Sequence, residues 1–230
     1  MTYIDHLTNF VWLVYQIMGR FSIKGFVKFG QKEHLEALLN DGVIYMNNID
    51  YFRKYEESQP EHMRGDRYEC FDFISQHNTI IFLGETDLTI EDIAVFEDRE
   101  SYRGYLWSMY AIFSDHSCFD SRMFDFGEYA VIIQDAKEFI TRVQNYCKEK
   151  QLEPKCSHVK YYEEKTEQGR LNPFMKREKY SYQKEARIYI QSANPQEKLI
   201  LNIGCLRDIA FLVKRIKVNG VDAFVRINEE

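Results

Sequence analysis

Proline is scarce in this chain, 4 residues in 230, and glycine is unremarkable at 11, a composition that argues against a long disordered linker. The five cysteines (Cys70, Cys118, Cys147, Cys156 and Cys205) are odd in number and contain no C-x-x-C pair, which excludes a zinc or disulfide framework. The six histidines show neither H-x-x-x-H nor H-x-H spacing, so no metal site is read from them. There is no G-x-x-x-x-G-K-[ST] phosphate loop, no G-x-G-x-x-G and no G-x-S-x-G, which sets aside P-loop, dinucleotide-fold and hydrolase-elbow chemistry. The apolar run Phe10–Tyr15, extended by Ile17 and Met18, falls short of the roughly 20 residues that a membrane span needs. It also lacks the basic start and small-residue cleavage site of a signal peptide. No membrane association is expected, and the cysteines read as reduced thiols of a cytoplasmic protein. Lys plus Arg is 30 and Asp plus Glu is 36, a formal charge of −6, so broad binding to a phosphate backbone is excluded while a local basic pocket is not.

What the chain has is aromatic and aliphatic bulk: 15% Phe, Trp and Tyr within 45% hydrophobic residues, enough for a sizeable core. No repeat or composition break divides it, and a single α+β domain over 1–230 is expected, with a helical lead-in over about residues 1–20. That lead-in is a core or partner-facing helix and a candidate homodimer contact.

The elements follow from periodicity. Gly25–Gly30 reads as a strand, Gln31–Asn40 as a helix with Leu35, Leu38 and Leu39 on one face and Gly42 as its stop, and Val43–Met46 as a strand. Residues Asn47–Glu69 are polar and loop-like, and are expected to form a mobile cover over a cleft. Within them Asp66 and Glu69 could ligate a metal or pair with Arg64 or Arg67. Tyr105–Ser114 is apolar on both faces and reads as a central strand. Tyr129–Ile133 is another. Asp135 with Glu138 forms a capping box for a helix carrying Ala136, Phe139, Ile140, Val143, Tyr146 and Cys147. Cys156–Tyr162 and Lys198–Ile203 read as strands, Glu163–Lys179 as a charged loop, and Cys205–Ile216 as a helix ahead of a turn and the strand Ala223–Ile227.

The stretch Tyr180–Ile190 alternates with period two and reads as one strand. Tyr180, Tyr182, Ala186, Ile188 and Ile190 form a buried row. Ser181, Gln183, Glu185 and Arg187 form a polar one, in which an amide, a carboxylate and a guanidinium stand within reach of one ligand. The alternative is the solvated face of an antiparallel sheet. Arg122 likewise has two readings, a ligand anchor or an ion pair with Asp120 or Asp125.

The step Gln183-Lys184-Glu185 resembles the Q/E-x-E signature of mono-ADP-ribosyltransferases. The wider order also resembles an uncharacterised domain family of bacterial and phage genomes, often found near defence genes. That order is a lysine-aromatic strand, a leucine-rich helix ending LLNDGVIYMNNIDYFR, an R-G-D-x-x-E segment, WSMYAIF, a Phe-Gly step before YAVII, and EKYSYQKEARI. The strand–helix–strand opening is similar to the start of DNA-targeting ADP-ribosyltransferase toxins. The resemblance implies a split, mixed or antiparallel β-sheet with flanking helices. It also implies NAD as substrate and a macromolecular acceptor, nucleic acid or protein, in phage–bacteria conflict. On it Glu185 is the catalytic glutamate and Gln183 orients the acceptor. Lys28, beside Phe29, stands where these transferases place an NAD-anchoring Arg or His. Ser108 or Tyr110 takes the place of the second motif's ribose-supporting residue. Arg122 joins Lys28 on the pyrophosphate, with Arg187 lining the same site. A catalytically inactive member of the fold, acting as a protein-binding module, is the alternative.

Overall fold

The computed structural model describes residues 23–58, 65–66, 69–70, 73–75, 80–83, 86–89, 94–96, 102–114, 119–167 and 169–227. The expected N-terminal helix, and the dimer contact assigned to it, lie outside these residues. The chain opens with β1 (Ile23–Gly30), α1 (Lys32–Asp41), β2 (Val43–Asn48) and α2 (Ile49–Ser58). Four short strands follow: β3 (Phe73–Ser75), β4 (Ile80–Leu83), β5 (Thr86–Thr89) and β6 (Ala94–Phe96). Next come β7 (Gly104–Phe113), a 3₁₀ turn at Ser121–Phe126, β8 (Tyr129–Ile133), α3 (Ala136–Glu149), β9 (Pro154–His158) and β10 (Lys160–Tyr162). The chain continues through β11 (Met175–Arg177), a 3₁₀ turn at Glu178–Gln183, β12 (Glu185–Gln191), β13 (Lys198–Asn202), β14 (Ala210–Val218) and β15 (Val221–Arg226). The fold is α+β and mostly antiparallel. No helix among the described residues is long and apolar enough to cross a membrane.

The main sheet has nine strands, in the order β13-β2-β7-β1-β8-β14-β15, with β12 and then β9 branching from β7. The branch arises because β7 has three partners on two edges. Along one edge β12 pairs from Gly104 to Tyr110. On the other edge β2 takes Tyr105 and Leu106, and β1 takes Tyr110 to Phe113. Between them the sheet is split: among the described residues, Trp107, Ser108 and Met109 have no strand partner on that side.

Alternation along β7 sorts its side chains between the two faces. Tyr105, Trp107, Met109 and Ala111 join Leu35, Leu38 and Leu39 of α1 and Phe139 and Val143 of α3 in the larger core. Tyr110 packs on the opposite face with Val27, Phe29, Met123, Tyr180 and Tyr182, and Leu106 with Ile49, Cys70 and Tyr189. The helices form as their sequences indicate: Asp135 Oδ1 accepts the Glu138 amide at 2.9 Å to start α3. Gly42 ends α1 in the left-handed region (φ 65°), where a Cβ would stand 2.2 Å from the Gly204 carbonyl oxygen.

Four sequence expectations need correction. Tyr180–Gln183 is a 3₁₀ turn, and the strand begins only at Glu185 after Lys184 adopts a left-handed conformation (φ 40°). The tyrosine alternation is real, but both rings are anchored in the second core rather than in a ladder. Residues 210–218 form β14 instead of a helix. The run Ala210-Phe211-Leu212-Val213 is apolar at every position, and such a run fits a buried strand as well as a helix. The polar segment after Asn47 contains α2, started by the Asn48 Oδ1 that accepts the Tyr51 amide at 2.9 Å. Finally, the charged stretch 163–179 contains β11, whose Lys176 and Arg177 are buried.

Candidate active site

The split in the sheet opens into a cavity of about 620 Å³, within the range of small-molecule sites. Seven residues singled out in the sequence border it: Lys28, Phe29, Ser108, Tyr110, Gln183, Glu185 and Arg187. They arrive from three strands and the turn before β12. Lys28 springs from the helix-side face of β1, paired with Val131. Its ammonium donates to the Ser108 carbonyl at 2.7 Å and stands 4.8 Å over the Trp107 ring. It thus braces β1 against the part of β7 that lacks a strand partner. Glu185 and Arg187 rise from the opposite face of β12, across from Tyr110 and Ser108. Both sets reach one cavity because the sheet is open between them.

Gln183, Glu185 and Arg187 are 2%, 7% and 2% exposed, so the solvated-face reading does not hold. Instead the three enter a buried ion network. Glu185 Oε2 accepts from Arg187 Nε at 2.7 Å, and Oε1 accepts from Lys176 Nζ at 2.5 Å. Lys176 also donates to Gln183 Oε1 at 2.7 Å. The terminal nitrogens of Arg187 hold Glu69 at 2.7 and 3.0 Å, and Nη1 reaches the Pro173 carbonyl at 2.6 Å. The backbone amide of Glu185 donates to the Tyr161 hydroxyl at 2.8 Å. Beside this network a second buried pair joins Arg177 to Asp66 at 2.8 Å.

The electrostatics follow from burial set against charge. Burial by itself would raise the Glu185 carboxyl, but Arg187 and Lys176 outweigh it and hold the group well below the usual carboxylate range. Glu69 goes the other way: burial, reinforced by Asp66, pushes its carboxyl up despite Arg187. Arg187 is held charged by Glu185 and Glu69 against the cost of its own burial. Burial and Glu69 together push the Cys70 thiol well above its ordinary value, so this cysteine is a poor nucleophile.

Arg122 lies outside the cavity lining. Its Nη2 pairs with Asp120 Oδ2 at 2.7 Å, its guanidinium lies 3.7 Å over the Tyr182 ring, and its side chain is 50% exposed. The ion-pair reading is the observed one. Arg187 borders the cavity, yet its Nε and both terminal nitrogens are directed at protein acceptors, so it orients Glu185 rather than presenting a free fork. Asp66 pairs with Arg177 and Glu69 with Arg187 at the cavity wall, while Arg64 and Arg67, the partners expected from the sequence, lie outside the described residues. Among the described residues no cluster of three or more His, Cys, Asp or Glu is placed to hold a metal.

Sequence reasoning missed Lys176 and Tyr161. Lys176 lies on a three-residue strand too short for periodicity to register, Tyr161 at the end of the strand read from Cys156 to Tyr162, and each contacts Glu185 across a separation only the fold closes. No protein-family profile, curated protein or solved structure matches this chain.

Proposed function

We propose that this protein is an NAD-dependent ADP-ribosyltransferase-like enzyme with Glu185 as its catalytic carboxylate. The observation that carries the reading is the convergence of Gln183 and Glu185 with Lys28, Ser108 and Tyr110 on one cavity at the split of the sheet. In the reaction the bond between the ribose anomeric carbon and the nicotinamide nitrogen breaks, and its electron pair leaves on nicotinamide. Positive charge builds on the sugar, where a fixed carboxylate stabilises it, as in glycoside cleavage. A nucleophile on the acceptor then bonds to the anomeric carbon and sheds its proton. Glu185 suits this role because its neighbours keep it ionised. Each of its oxygens accepts one bond from a cation, and a carboxylate offers about four acceptor sites, which leaves capacity for a ribose hydroxyl. Phe29 and Trp107 supply apolar walls. Lys28 and the N-terminal turn of α1 border the same cavity, and their positive potential suits a pyrophosphate.

A second reading has its own support. Both oxygens of Glu185 are already ion-paired, the arrangement of a structural network, and this favours a catalytically inactive member of the fold that acts as a protein-binding inhibitor or interaction module. Thermal melting in NAD separates the two. At 100 times its dissociation constant a ligand adds about 2.7 kcal/mol, so the transferase reading predicts an upward shift with release of nicotinamide. A melting temperature unmoved by millimolar NAD supports the inactive module.

A further inference from the structure

We infer that Lys176 is a positioning residue that ties the Gln183 amide to the Glu185 carboxylate and fixes both toward the cavity. The inference rests on the transferase reading for its catalytic meaning, but the positioning itself stands on geometry. Lys176 Nζ lies 2.7 Å from Gln183 Oε1 and 2.5 Å from Glu185 Oε1. Its side chain is 3% exposed and the ammonium stands 4.6 Å over the Tyr180 ring.

An ammonium is donor-only, so it dictates which end of the amide faces it. The oxygen of Gln183 turns to Lys176, and Nε2 turns the other way, donating to the Tyr182 hydroxyl at 3.0 Å. The lysine is itself held in place: β10 and β11 pair in parallel, with Tyr161 beside Lys176 in register. This one rung grips Glu185 twice, Tyr161 at the backbone amide and Lys176 at the carboxylate. The short β10–β11 ribbon therefore acts as a clamp on the start of β12. Glu185 also faces Arg187 on its own strand, Tyr110 opposite on β7, and Glu69 behind Arg187.

The test compares wild-type protein with Lys176→Met and Lys176→Arg by NMR and by nicotinamide release. In Lys176→Met the Gln183 side-chain amide signals shift or broaden, and the Glu185 carboxyl carbon titrates at higher pH than in wild type. The value of kcat falls by about 10–100-fold, the range typical of groups that orient a ligand from behind, and KM for NAD changes less than kcat. The acid limb of the pH–rate profile moves up in Lys176→Met. In Lys176→Arg, which keeps the charge, that limb stays near wild type while the Gln183 signals still move. If Lys176→Met does not fold, Lys176→Arg carries the test through the Gln183 signals alone. Unchanged Gln183 signals and an unmoved Glu185 titration in the folded variants overturn the inference. A wild-type protein that binds no NAD and releases no nicotinamide overturns the transferase reading instead, and the NMR titrations still decide whether Lys176 orients the pair.

Discussion

Arg187 grips Glu69 with both of its terminal nitrogens, at 2.7 and 3.0 Å, across 118 residues of chain. The same guanidinium holds Glu185 through Nε. One buried cation therefore separates two carboxylates. Removing it strips Glu69 of its ion-pair partner and leaves Glu185 with Lys176 alone. Arg187→Met is expected to cost about 3–5 kcal/mol, the usual penalty for breaking a buried pair from one side. Chemical denaturation measures this directly, and a loss below about 1 kcal/mol would mean the network is wet.

The two carboxylates respond to pH with opposite signs. The folded protein holds Glu185 well below its ordinary value of about 4.5, so its contribution is present above that value and is lost as pH falls further. Glu69 is raised, so folding takes up a proton there as pH drops below its folded value, and stability gains on that side. In Glu185→Gln the loss of stability below about pH 4.5 should be shallower than in wild type. In Glu69→Gln the gain of stability that wild type shows as pH falls toward about 4.5 should be missing. Denaturation midpoints between pH 3 and pH 7 for the three proteins check both signs.

The sheet and its helices are largely written in the sequence, and the reasons are local. The leucine spacing of α1 and its Gly42 stop, the Asp135 cap of α3, and the double-sided hydrophobicity of β7 all depend on neighbours within a few residues. β14 was illegible for the opposite reason: Ala210 and Leu212 enter the larger core and Val213 the second, so its apolar start is buried on both faces and lacks the period that distinguishes strand from helix. The site divides in the same way. Gln183, Glu185 and Arg187 share a short stretch, so their grouping is visible. Lys176, Tyr161 and Glu69 join them only through tertiary contacts. The burial of Arg187 needed Glu69, whose partner cannot be read from spacing at such a distance.

Lys28 should do two things at once. Lys28→Met removes the donor to the Ser108 carbonyl at the split, which is expected to cost about 1–3 kcal/mol of stability. It also removes a positive charge from the cavity wall, and ADP-ribose affinity is expected to fall about tenfold, or 1.4 kcal/mol. Calorimetric titration with ADP-ribose distinguishes the roles. Stability lost with affinity intact would make Lys28 a brace and nothing more.

Tyr161→Phe tests the backbone side of the clamp. The variant takes away the hydroxyl that accepts the Glu185 amide at 2.8 Å and leaves that N–H inside the protein without this acceptor. A cost of about 1–3 kcal/mol follows from such an orphaned donor. Amide hydrogen exchange at Glu185 should quicken at the same time, and exchange at the wild-type rate would show that another acceptor serves it.

Nicotinamide release from NAD by wild type and Glu185→Gln is the sharpest test of the proposed stabilisation of a cationic ribose by Glu185. The substitution keeps the shape, and Oε1 can still accept from Lys176, but the charge is gone. Because Glu185 is buried and paired, stability should fall too, by up to about 3–5 kcal/mol, so rates are compared at a temperature where both proteins are folded. Wild type is expected to release nicotinamide, and Glu185→Gln to do so roughly 10²–10³ times more slowly. Equal rates in the two folded proteins would contradict it and leave Glu185 as a structural ion-pair partner.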